Sequence, residues 1–493
     1  MKKITLLLTL LFTTFLGAMA ENFTPVVGAK YLIKCKGDNK FVLWNESCVK
    51  SKDDNTNILS NWGQFDYRSL FTIEGNATDG YYFRSVKDNT RYIYAINTDN
   101  DQDGNVGVKA VSGTPDADCK WKIVQNGDGW NIVAFAADGK GSWNNRGSYG
   151  GNAHVGTWNS NDNANNIWYI QTPEKLVQGI ATSTETGKIN AAYTTAATTA
   201  ANTFATSGTE ADFNAFKTAY NNKASYVNLS TGYYRLKSSQ TDGNGENNSV
   251  FNGTYLFSDI VNYPNVAKTL ANVPLDEAKT KNNYVWKITR GELPSATVGI
   301  VNGQGKGVNN GTNYNTINLG LSDYYTTGAI YFTQGLHISN QSHLTVGGTK
   351  NASAEATRSN PFTMTGWAYS DSKGSAYIFE PVSMTDLTAY TVNVTGAEGY
   401  VTLNSTNEVA MNGGFFLLSS TPAVSDFTAK TLDGYDVVVT IAENTINVSY
   451  AHTYAYAKAE AEATIAKTGV GYPTTDAAAR TTLNKAMSDA AAA

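Results

Sequence analysis

From residue 31 onward apolar and polar positions alternate in short runs, and the runs recur. Each unit opens on an aromatic-rich strand, turns, gives a second short strand and closes on aromatic-x-aliphatic. The openers are Tyr31-Leu32-Ile33, Tyr81-Tyr82-Phe83 and Trp130-Asn131-Ile132. The closers Phe71-Thr72-Ile73, Trp121-Lys122-Ile123 and Trp168-Tyr169-Ile170 follow one another at 50 and 47 residues. A second triplet has openers Tyr233-Tyr234-Arg235-Leu236, Val298-Gly299-Ile300 and Leu336-His337-Ile338, with closers Trp286-Lys287-Ile288, Ile330-Tyr331-Phe332 and Tyr377-Ile378-Phe379. Within a unit the middle strand follows a turn, as after Asp38-Asn39 and Asp88-Asn89, so alternate residues point to a shared core. Three units therefore predict one closed module of about 150 residues, and six predict two.

The remaining chain reads differently. Residues 173–226 turn to Ala, Thr, Lys and Glu, and Phe213, Phe216 and Tyr220 fall on one helical face, which predicts a helical spacer. A similar composition returns at 451–493, where Pro473 starts a helix. Both stretches resemble the short three-helix modules of exported carbohydrate-active proteins; the second lacks a third helix, which predicts a chain continuing past residue 493. Between 386 and 450 lie six alternating runs, among them Tyr390–Val394, Tyr435–Thr440 and Ile446–Tyr450, which predict a small antiparallel sandwich.

The closers resemble those of the ricin-type β-trefoil lectins, whose three repeats each end in a Gln-x-Trp motif with a hydrophobic residue after it. The resemblance covers most of 28–385, twice over. At the family's Gln position stand Cys119, Asn166 and Tyr284, and where its sugar-binding Asp would lie there are residues such as Leu43 and Tyr94. The resemblance thus implies the fold and leaves galactose specificity open. The expected architecture is mainly β: β-trefoils at 21–172 and 227–385 separated by the helical module, then the sandwich, then the C-terminal helical segment.

Compartment and charge narrow the function. Lys2-Lys3, an apolar run from Ile4 to Leu16 and small residues at Ala18 and Ala20 form the pattern of a secretory signal, residues 1–20, cleaved after Ala20. No later run reaches the 18 apolar residues of a membrane span, so a secreted or cell-surface protein is expected. Net charge is −5, from 37 basic and 42 acidic residues, which offers no footprint for nucleic acid. Export permits a Cys35–Cys48 bridge with Cys119 left over; three buried thiols is the other reading.

Candidate chemistry is sparse. There is no nucleophile elbow, phosphate loop, paired zinc ligands or redox cysteine pair, and His154, His337, His343 and His452 are scattered. The fragment Asp138–Trp143 reads as a turn, and Asp38, Asp88 and Asp138, spaced by 50, read as turn residues capping their own backbone. Asp99, Asp101 and Asp103 followed by Gly104 match the first half of an oxygen-ligand calcium loop, but the twelfth position is Ala110 rather than Glu, so an acidic hairpin fits as well. No cofactor is required; calcium is the candidate ion. A shallow sugar site wants an aromatic face beside planar amides. Trp44 with Asn45, Tyr94 with Asn97, and Trp143, Asn144, Asn145 and Trp158 are the candidate ligand residues, each aromatic weighed against core packing. The reading is a non-catalytic, multivalent glycan-binding protein. The alternatives are the binding region of a larger secreted glycoside hydrolase and a protein-binding surface adhesin.

Overall fold

The computed structural model describes residues 22–51, 56–96, 106–135, 141–149, 152–158, 163–181, 189–238, 254–259, 270–274, 281–295, 297–309, 320–322, 326–331, 336–340, 342–346, 362–367 and 376–459. The signal segment 1–20 and the helix expected from Pro473 lie outside them. Residues 1–223 and 224–493 form two compact units. Both are mainly β.

In the first unit the repeats become strands β1 (Tyr31–Cys35), β2 (Phe41–Ser51), β3 (Thr56–Trp62), β4 (Leu70–Asn76), β5 (Gly80–Ser85), β6 (Arg91–Ala95), β7 (Val106–Ala110), β8 (Trp121–Asn126), β9 (Gly129–Ala134), β10 (Ser142–Tyr149), β11 (Asn152–Trp158) and β12 (Trp168–Gln171). Openers and closers build a ring: β1 pairs β4, β4 pairs β5, β5 pairs β8, β8 pairs β9, β9 pairs β12, and β12 returns to β1. Closure leaves these six strands no open edge. The other six form the hairpins β2–β3, β6–β7 and β10–β11, and β3 also pairs β7 and β11, so the hairpins are laced together.

The closers supply the core. Phe71, Trp121 and Trp168 are buried with Tyr31, Tyr81 and Trp143 in one cluster. A buried indole needs a partner for its N–H. Trp121 and Trp168 donate to the carbonyls of Ile93 and Trp143, each at 3.1 Å. The β4–β5 turn needs glycine, since Gly75 and Gly80 have φ of 96° and 92° and a Cβ on either would collide with the backbone or with Phe135.

Among the described residues of this unit, the helices Pro173–Ala181, Ala191–Ser207 and Glu210–Asn221 follow β12. Asn190 and Thr209 cap the second and third, accepting from the amides of Ala192 and Asp212, and Gly208 ends the second at φ 67°. The aromatic face expected at 213–220 closes on Phe65, with Phe213, Phe216 and Tyr220 at 5.7, 5.8 and 5.4 Å between centroids. The helical stretch therefore packs on the β structure that precedes it.

The second unit repeats the ring. Its strands are β13 (Gly232–Ser238), β14 (Thr254–Ser258), β15 (Leu270–Pro274), β16 (Val285–Arg290), β17 (Thr297–Asn302), β18 (Gly307–Asn309), β19 (Gly320–Ser322), β20 (Thr326–Tyr331), β21 (Leu336–Asn340), β22 (Ser342–Val346), β23 (Phe362–Trp367) and β24 (Ala376–Pro381). β13, β16, β17, β20, β21 and β24 pair in that order and close back on β13. β14–β15, β18–β19 and β22–β23 are the hairpins. Trp286 donates its N–H to the Leu256 carbonyl at 3.0 Å, as its counterparts in the first ring donate to theirs.

After β24 two small sheets face each other. One has four strands, Thr388–Thr395, Phe415–Leu418, Tyr435–Ala442 and Thr445–His452; the other has three, Tyr400–Leu403, Glu408–Met411 and Phe427–Ala429. The expectation of a purely antiparallel sandwich is corrected: Thr388–Thr395 and Thr445–His452 pair in parallel, Val392 opposite Ile446. Alternation fixes which face a residue takes but not strand direction, and only strands joined by tight turns are obliged to run antiparallel.

The cysteines resolve to the second of their two readings. Cys35, Cys48 and Cys119 are buried and form no disulfide. β1 and β2 pair only at Lys34 and Phe41, which leaves Cys48 far along β2 from Cys35. Burial pushes the Cys35 and Cys119 thiols up to about 11.

Candidate functional site

The site grows from the turn after β1. Asp38 accepts from the amide of Lys40 at 3.1 Å, the short-range bond that makes an Asp turn, and Asn39 takes φ 59°. Asp88, 50 residues on, does the same for Thr90 at 3.0 Å. The Asp38 carboxylate then reaches across hairpins itself, and Asp88 does so through Arg91. Asp38 accepts from Asn61 Nδ2 of β3 at 3.3 Å and from Asn145 Nδ2 of β10 at 2.8 Å, with Lys40 Nζ at 3.2 Å. Asp88 accepts from Arg91 Nε at 3.1 Å, and Arg91 donates to Asn57 Oδ1 at 3.1 Å while lying 5.0 Å over the ring of Trp44. The hydrogen bond from the Thr90 hydroxyl, with help from Arg91, holds the Asp88 carboxyl below its ordinary value. Asp138 lies outside the described residues.

Most of the expected sugar-stacking aromatics belong to the interior. Trp143 is fully buried, edge-on to Trp121 at 5.3 Å and Trp168 at 5.9 Å. Trp44 is buried, and Tyr94, 9 % exposed, packs beneath Lys109 at 4.6 Å. Trp44 and Trp143 belong to the central cluster of the ring, whereas Tyr94, between Ile93 and Ala95 of that cluster, turns the other way and packs with Tyr92 and Cys119. Asn45 is buried too, its Oδ1 accepting from the Ser47 amide at 3.0 Å. The structure thus places these four in the interior: Trp44 and Trp143 join the central cluster, while Tyr94 and Asn45, next to Ile93 and Trp44, are covered on the opposite face of their strands. Asn97, Asp99, Asp101 and Asp103 lie outside the described residues.

Trp158 behaves differently. It is 38 % exposed, opposite Ser142 in the β10–β11 ladder. Alternate residues put Ser142, Asn144 and Arg146 on one face with Trp158, Gly156 and His154 across from them. Arg146 runs over Gly156, where a Cβ would come within 2.9 Å of Nε, and its guanidinium lies 4.8 Å from the centroid of Trp158. Arg146 also donates through Nη2 to the Thr157 carbonyl. The indole is therefore held in one orientation by a stacked cation, a contact worth roughly 0.5–1 kcal/mol at an exposed site. Asn144 Nδ2 donates to Asn166 Oδ1 at 2.9 Å, tying the same strand to the unit's closing turn. His154 Nδ1 lies 2.6 Å from the Gly147 carbonyl.

One residue missed in the sequence is Trp62, also 38 % exposed, nine positions before the closer Phe71 as Trp158 is ten before Trp168. In the middle unit Val111 and Ser112 stand at those offsets before Trp121. Two of three repeats thus present an exposed indole on the last hairpin strand. The offset from the closers was available as a signal. Among the described residues no group of three or more His, Cys, Asp or Glu stands together, and no helix is long and apolar enough to cross a membrane.

No family model and no curated protein matches the chain. Solved structures similar to it include β-trefoil proteins and lectins. The BEL β-trefoil is 15% identical with a TM-score of 0.24, covering 30% of this chain and 96% of that one. A mutant C-terminal domain of an earthworm lectin, solved with 6'-sialyllactose, is 14% identical with a TM-score of 0.22, covering 29% and 98%. A mosquitocidal holotoxin is 11% identical with a TM-score of 0.34; the match spans 86% of this chain and 42% of that one. At these identities and scores the likeness assigns this chain no activity.

Proposed function

We propose that this chain is an exported, non-catalytic glycan-binding protein whose two rings are tandem β-trefoils, and that it takes sugar on the exposed indole of Trp158. The observation that carries the reading is the contrast between an indole 38 % exposed and a polar strand that holds it rigid through Arg146. An aromatic face offers the apolar C–H side of a pyranose a surface to leave water on. Pre-orienting it removes part of the ordering cost of binding. Asn144 and Arg146 on the same face bring amide and guanidinium chemistry suited to hydroxyl groups. Trp62 on β3 is the corresponding platform of the first repeat. Single sites of this kind bind weakly, and repetition on one chain raises the effective concentration of the second contact.

The test is a broad glycan array probed with the full chain, in calcium and in chelator. Specific binding is the expected result. Its loss in chelator would assign the calcium-loop pattern of Asp99, Asp101 and Asp103 a part in the site. Silence across the array, with capture of a protein ligand instead, would replace the reading with that of an adhesin.

A further inference from the structure

The second unit holds a cleft that owes nothing to the repeats. It lies between the second ring and the small sheets that follow it, has a volume of about 250 Å³, and is lined in part by Asp259, Asn282, Asn283, Gln304, Tyr400 and Thr402. One water needs roughly 10–15 Å³ measured the same way, so the space is far larger than a solvation gap.

Its walls are fixed to each other. Asn282 donates its amide to Glu408 Oε1 at 2.5 Å and its Nδ2 to the Val409 carbonyl at 2.8 Å. The Phe415 amide donates to the Gly303 carbonyl at 2.8 Å and the Met411 amide to that of Gln304 at 3.0 Å. Gly305 and Gly414 let the two backbones touch, since a Cβ on either would collide with the facing chain, and a Cβ on Gly303 would collide with Asn282. Behind them Val285, Phe415 and Leu417 form an apolar cluster, with Tyr233 edge-on to Phe415 at 4.8 Å. The cleft is therefore preformed.

Its chemistry selects the occupant. The described residues lining the space include two carboxylates, four primary amides, a hydroxyl and a phenol ring and no Lys or Arg, while Lys430 Nζ lies over the Tyr400 ring, 5.3 Å from its centroid. Two carboxylates against one lysine disfavour phosphate, sulfate and acidic sugars. Asn282, only 1 % exposed, keeps Oδ1 without a hydrogen-bond partner, and so does buried Asn283 Oδ1. A buried acceptor left unpaired costs about 1–3 kcal/mol, which a donor arriving with a ligand would recover. A bare divalent cation would need its oxygens at 2.3–2.6 Å, far tighter than this volume. Both oxygens of Glu408 already accept, from Asn282 and from Thr406 Oγ1 at 2.6 Å, so that carboxylate positions the wall.

We infer that this cleft is a second binding site, for one neutral pyranose residue of a glycan, whose hydroxyls donate to Asn282 and Asn283 and whose ring lies by Tyr400. It shares with the Trp158 reading only the ligand class, and the two fail separately.

The test is saturation-transfer NMR on the full chain with the methyl glycosides of glucose, galactose, mannose and N-acetylglucosamine, with N-acetylneuraminic acid as the charged control. At least one neutral glycoside should bind. Its signal should persist in Trp62→Ala/Trp158→Ala, which removes the exposed indoles, and in that background should fall at least tenfold on adding Asn283→Ala or Thr402→Val, both retaining wild-type circular dichroism. Loss in Trp62→Ala/Trp158→Ala would place the sugar on the first unit and overturn the inference. So would retention of the signal with each cleft substitution added, preference for the acidic sugar, binding of calcium but no glycoside, or no binding of any glycoside.

Discussion

Trp143 and Trp158 stand on facing strands of one hairpin, Trp143 opposite Thr157 and Trp158 opposite Ser142. One register step separates them, and that step turns one side chain inward and the other outward. The first is fully buried against Trp121 and Trp168; the second is 38 % exposed beneath Arg146. Composition treats them alike, as two tryptophans in a Gly/Asn/Ser-rich stretch. Face alone decides that one fills the core and the other is presented to solvent.

The sharpest way to break this contrast is on the inner face. Trp143→Ala should cost the first unit about 3–5 kcal/mol, the range of large aromatic deletions from a core. Urea unfolding followed by tryptophan fluorescence reads it well, because seven of the nine tryptophans lie before residue 224. A cost below about 1 kcal/mol would mean that Trp143 is not the core residue described.

The turn carboxylates come next. Asp38→Ala strands the Nδ2 donors of Asn61 and Asn145 and should cost about 1–3 kcal/mol in the same assay. Asp88→Asn gives a pH signature. Because the folded carboxyl sits below its ordinary value, its stabilisation is present above the unfolded value near 3.9 and is lost as pH falls through the lower folded value. Wild type should therefore exceed the variant in stability at neutral pH and converge on it in acid below about pH 4. A gap independent of pH would contradict that origin.

The smallest effect is expected on the outer face. Gly156→Ala puts a methyl where Arg146 lies and should swing the guanidinium off Trp158 at under about 1 kcal/mol in stability. Iodide quenching of fluorescence should rise, because the uncovered indole is more accessible. Unchanged quenching would show that Arg146 does not cover it.

How much of this was legible depends on the level. The ring was readable because closers such as Trp121 and Trp168 recur at near-constant spacing and a closed ring demands that period. The roles of Asp38 and Asp88 were readable because an Asp turn is a local bond. The fate of each aromatic was not, since Trp44, Tyr94 and Trp143 share their neighbourhoods' polar residues and only the pairing register distinguishes inside from outside. Nor was the cleft, whose lining runs from Asp259 to Val409 and is assembled by contacts such as Asn282 to Glu408, 126 residues apart. Strand direction in the small sheets escaped for the same reason: Thr388–Thr395 and Thr445–His452 meet through tertiary packing.

The central claim is that the outer indole, not the inner ones, meets sugar. Titrating the strongest array glycan into the full chain and into Trp158→Ala tests it directly. Affinity should fall at least tenfold in the variant, with an unfolding midpoint close to that of wild type; equal affinity in the two proteins would rule out Trp158 as the sugar platform.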